Sequence, residues 1–318
     1  MFNSSGEASN GWGIPMATDI AFALGVLYLL GDKVPLPAKI FLTVLAIADD
    51  IGAVLVIAFF YTSTIDFNSL LVGAICMSIL IFGNIIGVRN TLFYGIIGIC
   101  GLWLAFLMSG IHATIAAVLA AFTIPVNPKI TEKQFLTKLD SLYNRFKKAE
   151  PNDNPTVTSE QLHILEEIRG YSKKALTPLQ RLEHRMHPLV AFIIMPIFAL
   201  CNAGVEINSS IFDNGMSRVT LGIIFGLIFG KLIGIIGCTW LFTKLKWASL
   251  PDGLNFKHII GVGFLASIGF TMSLFITELA FTDVQLITEA KFGVLIASFF
   301  ASIVGFMVMK MASKKELG

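Results

Sequence analysis

Apolar residues run along this chain in long blocks rather than in alternation. They occupy about 13–30, 38–61, 68–88, 92–108, 110–124, 188–205, 219–243, 258–281 and 290–311. Each block approaches the ~20 apolar residues that a helix needs to cross a bilayer. In lipid every backbone N–H and C=O must be satisfied within the protein, and blocks this long and uniform do not fit barrel strands. The pattern therefore predicts an all-α polytopic membrane protein with nine transmembrane helices. It divides the chain into a five-helix bundle (1–124), a charged and partly helical segment (125–187), and a four-helix bundle (188–318).

Charge supports the count. Lys and Arg collect on alternate loops facing the cytoplasm. Lys33 and Lys39, Arg89, eleven basic residues in 125–187, Lys244, Lys246 and Lys257, and Lys310, Lys314 and Lys315 fall on one side. Only Arg218 and Lys291 fall on the other. This asymmetry places segment 125–187 and the C-terminus in the cytoplasm and residue 1 outside. The first twelve residues, MFNSSGEASNGW, have neither the basic start nor the apolar core of a secretory signal.

Composition agrees with the pattern and excludes other classes. Of 318 residues 55% are hydrophobic and 14% charged, the net charge is +2, and the mean hydropathy is +0.78. Soluble domains carry ~25% charged residues, so a soluble enzyme, a disordered chain and a nucleic-acid binder are all excluded. Cys76, Cys100, Cys201 and Cys238 lie singly in apolar blocks, as small hydrophobes do in helix packing.

Segment 125–187 opens at Pro125 and Pro128 and has a turn-rich centre, EPNDNP at 150–155. Phe135, Leu139, Leu142 and Phe146 recur at helical spacing beside Lys138, Arg145, Lys147 and Lys148. This fits either a basic amphipathic helix on an anionic leaflet or a solvated hairpin.

Against this background four charges are out of place: Asp19, Asp49, Asp50 and Lys231 lie within apolar blocks. An ionisable residue deep in a span costs ~2.5–3.5 kcal/mol on insertion scales, so each is a candidate functional group. Glu206 and Glu278 lie nearer block ends and read as interfacial. Asp49 and Asp50 are adjacent, hence ~100° apart on a helix, and at least one must face a cavity or a cation. Na+ takes oxygen ligands and competes with protons for a carboxylate, which suffices to couple two ion fluxes. An interhelix ion pair is the structural alternative for the same pair. Lys231 lies among Gly226, Gly230, Gly234 and Gly237, a spacing that lets another backbone approach. It suits a buried partner of an aspartate, either ion-coupled or purely structural.

Two blocks also carry interruption signals. Gly11, Gly13 and Pro15 precede Thr18 and Asp19, and GVGFLASIGFTMS fills 261–273. Unwound backbone at membrane depth makes ion sites from half-helix ends and freed carbonyls. One such element near each end of the chain points to two repeated halves.

These residues carry a resemblance. The stretches GWGIPMATDIAFALGVLYLLGDKVP, KIFLTVLAIADDIGAVLVIAFFYT, SGIHATIAA, RLEHRMHP, FALCNAGV, GKLIG and GFLASIGFTMSLFI resemble the NhaA-type sodium/proton antiporters over nearly the whole chain. That family is a standing example of inverted-repeat transporters. The resemblance implies a transporter, not an enzyme, in the bacterial inner membrane. It would carry Na+, Li+ and H+ without a cofactor and serve pH and sodium homeostasis. It implies electrogenic exchange, more than one proton entering for each Na+ or Li+ expelled, and silence at acidic pH. Asp50 would be the principal cation- and proton-binding carboxylate with Asp49 beside it. Lys231 would pair with Asp49 and be released as Na+ binds. Thr18 and Asp19 would sit where two broken helices cross. Glu183, His184 and His187 would form a pH-sensing cluster, with His112 another pH-affecting position. Membrane lipids and a homodimer of the complete protein are the implied partners.

Three departures accompany the resemblance. Family members begin with about three further helices, among them the leading helix of the first three-helix repeat, and the resemblance implies that this chain, which starts just before the first broken element, lacks them. Leu232 stands where the family has proline in GKP. Segment 125–187 is longer than in well-known members. Rival readings are a sodium-coupled symporter of related architecture and an intramembrane enzyme. DDIGA lacks the further carboxylate of Mg²⁺-binding DDxxD runs, and Lys231 as a retinal Schiff base would need an unusual bundle.

Overall fold

A computed structural model describes residues 6–61, 66–149, 156–202, 204 and 216–314. Among these residues all regular structure is helical. A 3-10 helix, Glu7–Met16, is followed by α1 (Ile20–Tyr28), α2 (Leu36–Phe60) and α3 (Phe67–Ile86). Next come α4 (Thr91–Ser109), α5 (Ala113–Thr123), α6 (Glu132–Lys148), α7 (Ser159–Ala175), α8 (Pro178–Asn202) and α9 (Arg218–Lys244). The last are α10 (Phe256–Ala266), α11 (Phe270–Ala280) and α12 (Val284–Lys314).

Seven of the described helical segments are long and apolar enough to cross a membrane, counting Glu7–Tyr28 as one. The α10–α11 pair, bent by 45° at its break, makes an eighth. The ninth expected span, 110–124, forms only the 11-residue helix α5. At 1.5 Å per residue it covers about half of a ~30 Å hydrocarbon core. Its start is set by Gly110, at φ 82°, and by His112, whose side chain caps the first turn. The span expected at 188–205 begins ten residues earlier, at Pro178, so the end of the 125–187 segment is part of that helix. Glu206 and the turn-rich centre of the 125–187 segment (150–155) lie outside the described residues.

The chain packs as two compact units, residues 62–190 and residues 1–61 with 191–318. In the first, α3, α4 and α5 enclose Leu80, Leu102, Phe106 and Ala116. Here α6, α7 and α8 each start at a threonine capping box, Thr131–Gln134, Thr158–Gln161 and Thr177–Gln180. In the second unit, one core joins the 3-10 helix, α2, α9, α11 and α12 around Ile14, Ile57, Leu227 and Leu274. A neighbouring core joins α1, α2, α10 and α12 around Leu27, Leu42, Ile259 and Leu265.

Much of the apolar surface stays uncovered, Phe59 at 79% and Leu200 at 81% for example. In water such patches would drive association; on spanning helices they face lipid. The cysteines are free, Cys76 half-buried and the other three exposed on these helices.

Candidate functional site

Both interrupted elements belong to the second unit, and their breaks meet. After the 3-10 helix the backbone is extended at Ala17 (φ −77°, ψ 147°) and Asp19 (φ −83°, ψ 96°), and α1 then starts at Ile20. Pro15 and the preceding glycines suit this irregular stretch, because Pro lacks the N–H that a regular helix would use. The second break is Ser267–Gly269, between α10 and α11. The Asp19 N–H donates to the Ile268 carbonyl at 2.7 Å, joining the two breaks directly.

Asp19 is 1% exposed and holds two helix starts together. Its Oδ1 accepts from the Phe22 N–H of α1 at 3.1 Å. Its Oδ2 accepts from the Thr271 N–H at 3.0 Å and the Thr271 hydroxyl at 2.5 Å, in the first turn of α11. The orphan N–H groups and positive dipole end of each half-helix are thus met by one carboxylate.

Next to it lies a compact charged cluster. Lys231 Nζ donates to Thr18 Oγ1 at 2.5 Å, to the Ala266 carbonyl at 3.0 Å and to Asp49 Oδ2 at 3.3 Å. Three ammonium protons meet three acceptors. Thr18 Oγ1 lies 2.7 Å from Asp49 Oδ2 and 2.9 Å from the Ala266 carbonyl, and its single proton serves one of them at a time. Thr18 is fully buried, and the Lys231 and Asp49 side chains are 10% and 25% exposed. Four elements contribute: the first break, α2, α9 and the last turn of α10.

Asp50 lies close to this cluster and makes no hydrogen bond to it among the described residues. Its Oδ1 is buried and has no hydrogen-bond partner among the described residues. A buried acceptor of this kind costs about 1–3 kcal/mol unless something binds it, which a proton or a cation would do. No group of three or more His, Cys, Asp or Glu with metal-binding geometry occurs among the described residues. The oxygens gathered here are two neighbouring carboxylates, one hydroxyl and one freed carbonyl, hard donors of the kind that suit a transported alkali cation.

The lysine is placed by a feature absent from any motif. The turn before it, Gly226–Gly230, is a π-helix. Such turns locally re-aim the side chains that follow and recur at functional sites. Gly226 lets Pro15 approach: a Cβ there would lie 2.8 Å from Pro15 Cγ. Gly230, Gly234 and Gly237 instead face open space among the described residues. Among the described residues only the first of the four glycines therefore serves close packing. Leu232, next to the lysine, reaches Gly263 of α10.

The candidates that the resemblance implies for pH response lie in the first unit. Glu183, His184 and His187 are all exposed on α8. His112 sits at the start of α5, with Nδ1 2.9 Å from the Thr114 hydroxyl. Glu278 pairs with Lys291 at 2.6 Å, joining α11 to α12. The residue missed in the sequence was Ala266, which acts through its carbonyl and carries no side-chain signal; Thr271, which follows the three glycines of the second interruption, supplies the N–H and hydroxyl that Asp19 accepts from.

The sequence profile described as Na+/H+ antiporter 1 matches residues 1–309. The chain belongs to this family. It is similar to the Na(+)/H(+) antiporter NhaA 1 of Psychromonas ingrahamii, 48% identical over 308 residues, 97% of this chain and 70% of that protein. It is likewise 48% identical to the Na(+)/H(+) antiporter NhaA of Wolinella succinogenes over 322 residues, covering 99% of this chain and 71% of the relative. The Na(+)/H(+) antiporter NhaA of Oleidesulfovibrio alaskensis is 45% identical over 309 residues, 97% and 68% of the two chains. The family is one of ion antiporters, transporters rather than enzymes.

Proposed function

We propose that this chain exchanges cytoplasmic Na+ or Li+ for external protons, through the cluster at the two helix breaks. The observation that carries the reading is Asp50 Oδ1, a buried acceptor without a partner among the described residues, one residue from an aspartate held by Lys231. Na+ arriving from the cytoplasm is taken by Asp50 and Asp49, which give up protons or the ammonium to receive it. Lys231 then leaves Asp49. The Thr18 hydroxyl turns its proton to the Ala266 carbonyl and offers the ion a free lone pair. Opening to the outside releases Na+, and protons together with Lys231 restore the starting arrangement. Where Asp50 gives up one proton and Lys231, on leaving Asp49, gives up a second, two protons return per Na+ and the cycle moves net charge.

Proton and cation compete for the same oxygens, so exchange fades as pH falls. Glu183, His184, His187 and His112 are assigned to pH response, a role that rests on the family resemblance. Asp19 is a positioning group that keeps the two half-helix starts together. We place the protein in the bacterial inner membrane, with the C-terminus and the 125–187 segment cytoplasmic. We read its two broken elements as counterparts in an inverted repeat, and the complete protein as a homodimer.

The test is transport in proteoliposomes with an imposed pH gradient. Na+ or Li+ should collapse the gradient at alkaline pH, K+ should not, and Asp50→Asn should abolish the response. A gradient untouched by Na+ in the complete protein removes the exchange reading. Dependence on a co-transported solute would instead support the symporter.

A further inference from the structure

The hairpin α6–α7 plays no part in the ion cluster, yet its surface is built for a definite environment. The two helices pack through Leu142 and Ile164, which are 1% and 0% exposed. Beside that seam lies an apolar groove of about 490 Å³, lined by Leu136, Leu139, Tyr143, Phe146, Leu165 and Ile168. Leu136, Tyr143 and Leu165 remain 55%, 60% and 42% exposed. One carboxylate, Asp140, borders the groove.

Charge identifies the occupant. Helix α6 carries Lys133, Lys138, Arg145, Lys147 and Lys148 against Glu132 and Asp140. Arg145 is taken by Glu167 of α7 at 3.1 Å, and Lys138 lies over the Tyr171 ring. Lys133, Lys147 and Lys148 are exposed and make no ion pair among the described residues. A helix with an apolar face and free lysines beside it fits the interface of an anionic bilayer.

Position makes that surface available. The Lys129 N–H donates to the Lys174 carbonyl at 3.0 Å, closing the hairpin at its base. The base lies a few residues from the end of α5 at Thr123 and from the start of the spanning helix α8 at Pro178. Helix α6 is about 25 Å long at 1.5 Å per residue, so a hairpin rooted at the bilayer surface can lie along it.

We propose that α6–α7 is a lipid-docking hairpin, its groove seated in the anionic headgroup region of the membrane that the chain spans. Leu136, Tyr143 and Leu165 enter the acyl boundary, and Lys133, Lys147 and Lys148 meet lipid phosphates. The proposal holds whether or not the chain exchanges ions, and its test reads no transport.

The whole chain is reconstituted in vesicles of phosphatidylcholine alone, or with about a third phosphatidylglycerol. Spin labels are attached to Leu136→Cys or Tyr143→Cys, with the four native cysteines replaced by serine. In anionic vesicles oxygen collisions should exceed those with a water-soluble nickel chelate; in phosphatidylcholine the order should reverse. A label at Glu166→Cys should stay nickel-accessible in both. Replacing Lys133, Lys147 and Lys148 by glutamine should lower the docked-to-undocked ratio by about fivefold per lysine. Amide exchange across 132–148 of the unmodified chain, slower only in anionic vesicles, gives the same reading without cysteine replacement. Nickel access in anionic vesicles overturns the proposal, as does equal shielding in both lipids. Dipolar coupling between labels on two copies also overturns it, because the occupant is then a second chain.

Discussion

Lys231→Met isolates the ion pair. Methionine keeps most of the aliphatic volume, so the cavity contribution is small. What is lost is an ammonium with three acceptors, Thr18 Oγ1, the Ala266 carbonyl and Asp49 Oδ2 at 2.5, 3.0 and 3.3 Å. Removing one partner of a buried pair costs about 3–5 kcal/mol, chiefly because the other charge stays behind unpaired. Asp49 is 25% exposed, so water relieves part of this, and the deficit should fall to about 2–3 kcal/mol. That corresponds to a melting temperature lower by about 3–5 °C. The assay is thermal unfolding of detergent-purified protein in choline chloride and then in NaCl. In choline the variant should be the less stable. Na+ should stabilise it more than it stabilises the unsubstituted chain, because in the variant no ammonium has to be displaced, and binding to the folded state adds stability by mass action. A variant within about 2 °C of the unsubstituted protein in choline would refute the pairing. A Na+ effect no larger than in the unsubstituted chain would refute the competition between ammonium and cation.

Further outcomes follow from the same contacts. Asp19→Ala removes the acceptor shared by Phe22 and Thr271 and should cost about 2–4 kcal/mol, two caps with their dipole contribution; Asp19→Asn, which keeps one carbonyl oxygen, should lose about half as much in the same melt. Thr18→Val should raise the Na+ concentration for half-maximal exchange by about tenfold, consistent with loss of a hydrogen bond to a charged group, and Thr18→Ser should restore it. Gly226→Val drives a side chain into Pro15 and should destabilise by about 1–3 kcal/mol. Gly234→Ala, facing open space, should leave stability within about 0.5 kcal/mol.

Hydropathy located the spanning blocks because lipid demands long apolar helices, and the charges inside them stood out for the same energetic reason. Asp19, Asp49, Asp50 and Lys231 could be named from that alone. Their mutual geometry could not, since residues 18, 49, 231 and 266 are brought together only by tertiary packing. Ala266 takes part through a carbonyl released by the helix break, which no side-chain pattern reports. The π-turn at Gly226–Gly230 is equally silent in sequence, and the four-glycine spacing suggested an interface of which only Gly226 is used among the described residues. Boundaries failed where local caps prevailed over hydropathy. His112 and Gly110 shorten α5, and the Thr177–Gln180 capping box starts α8 ten residues before its apolar block.

On the proposed mechanism Na+ and protons compete for the carboxylates beside the helix breaks. Calorimetric titration of the purified protein with NaCl, in two buffers of different ionisation enthalpy at alkaline pH, counts the protons released as Na+ binds. At least one proton should leave per Na+, the apparent Na+ affinity should weaken by up to about tenfold per pH unit for each proton exchanged, and Asp50→Asn should bind no Na+. Na+ binding that releases no proton, or that persists in Asp50→Asn, would contradict it.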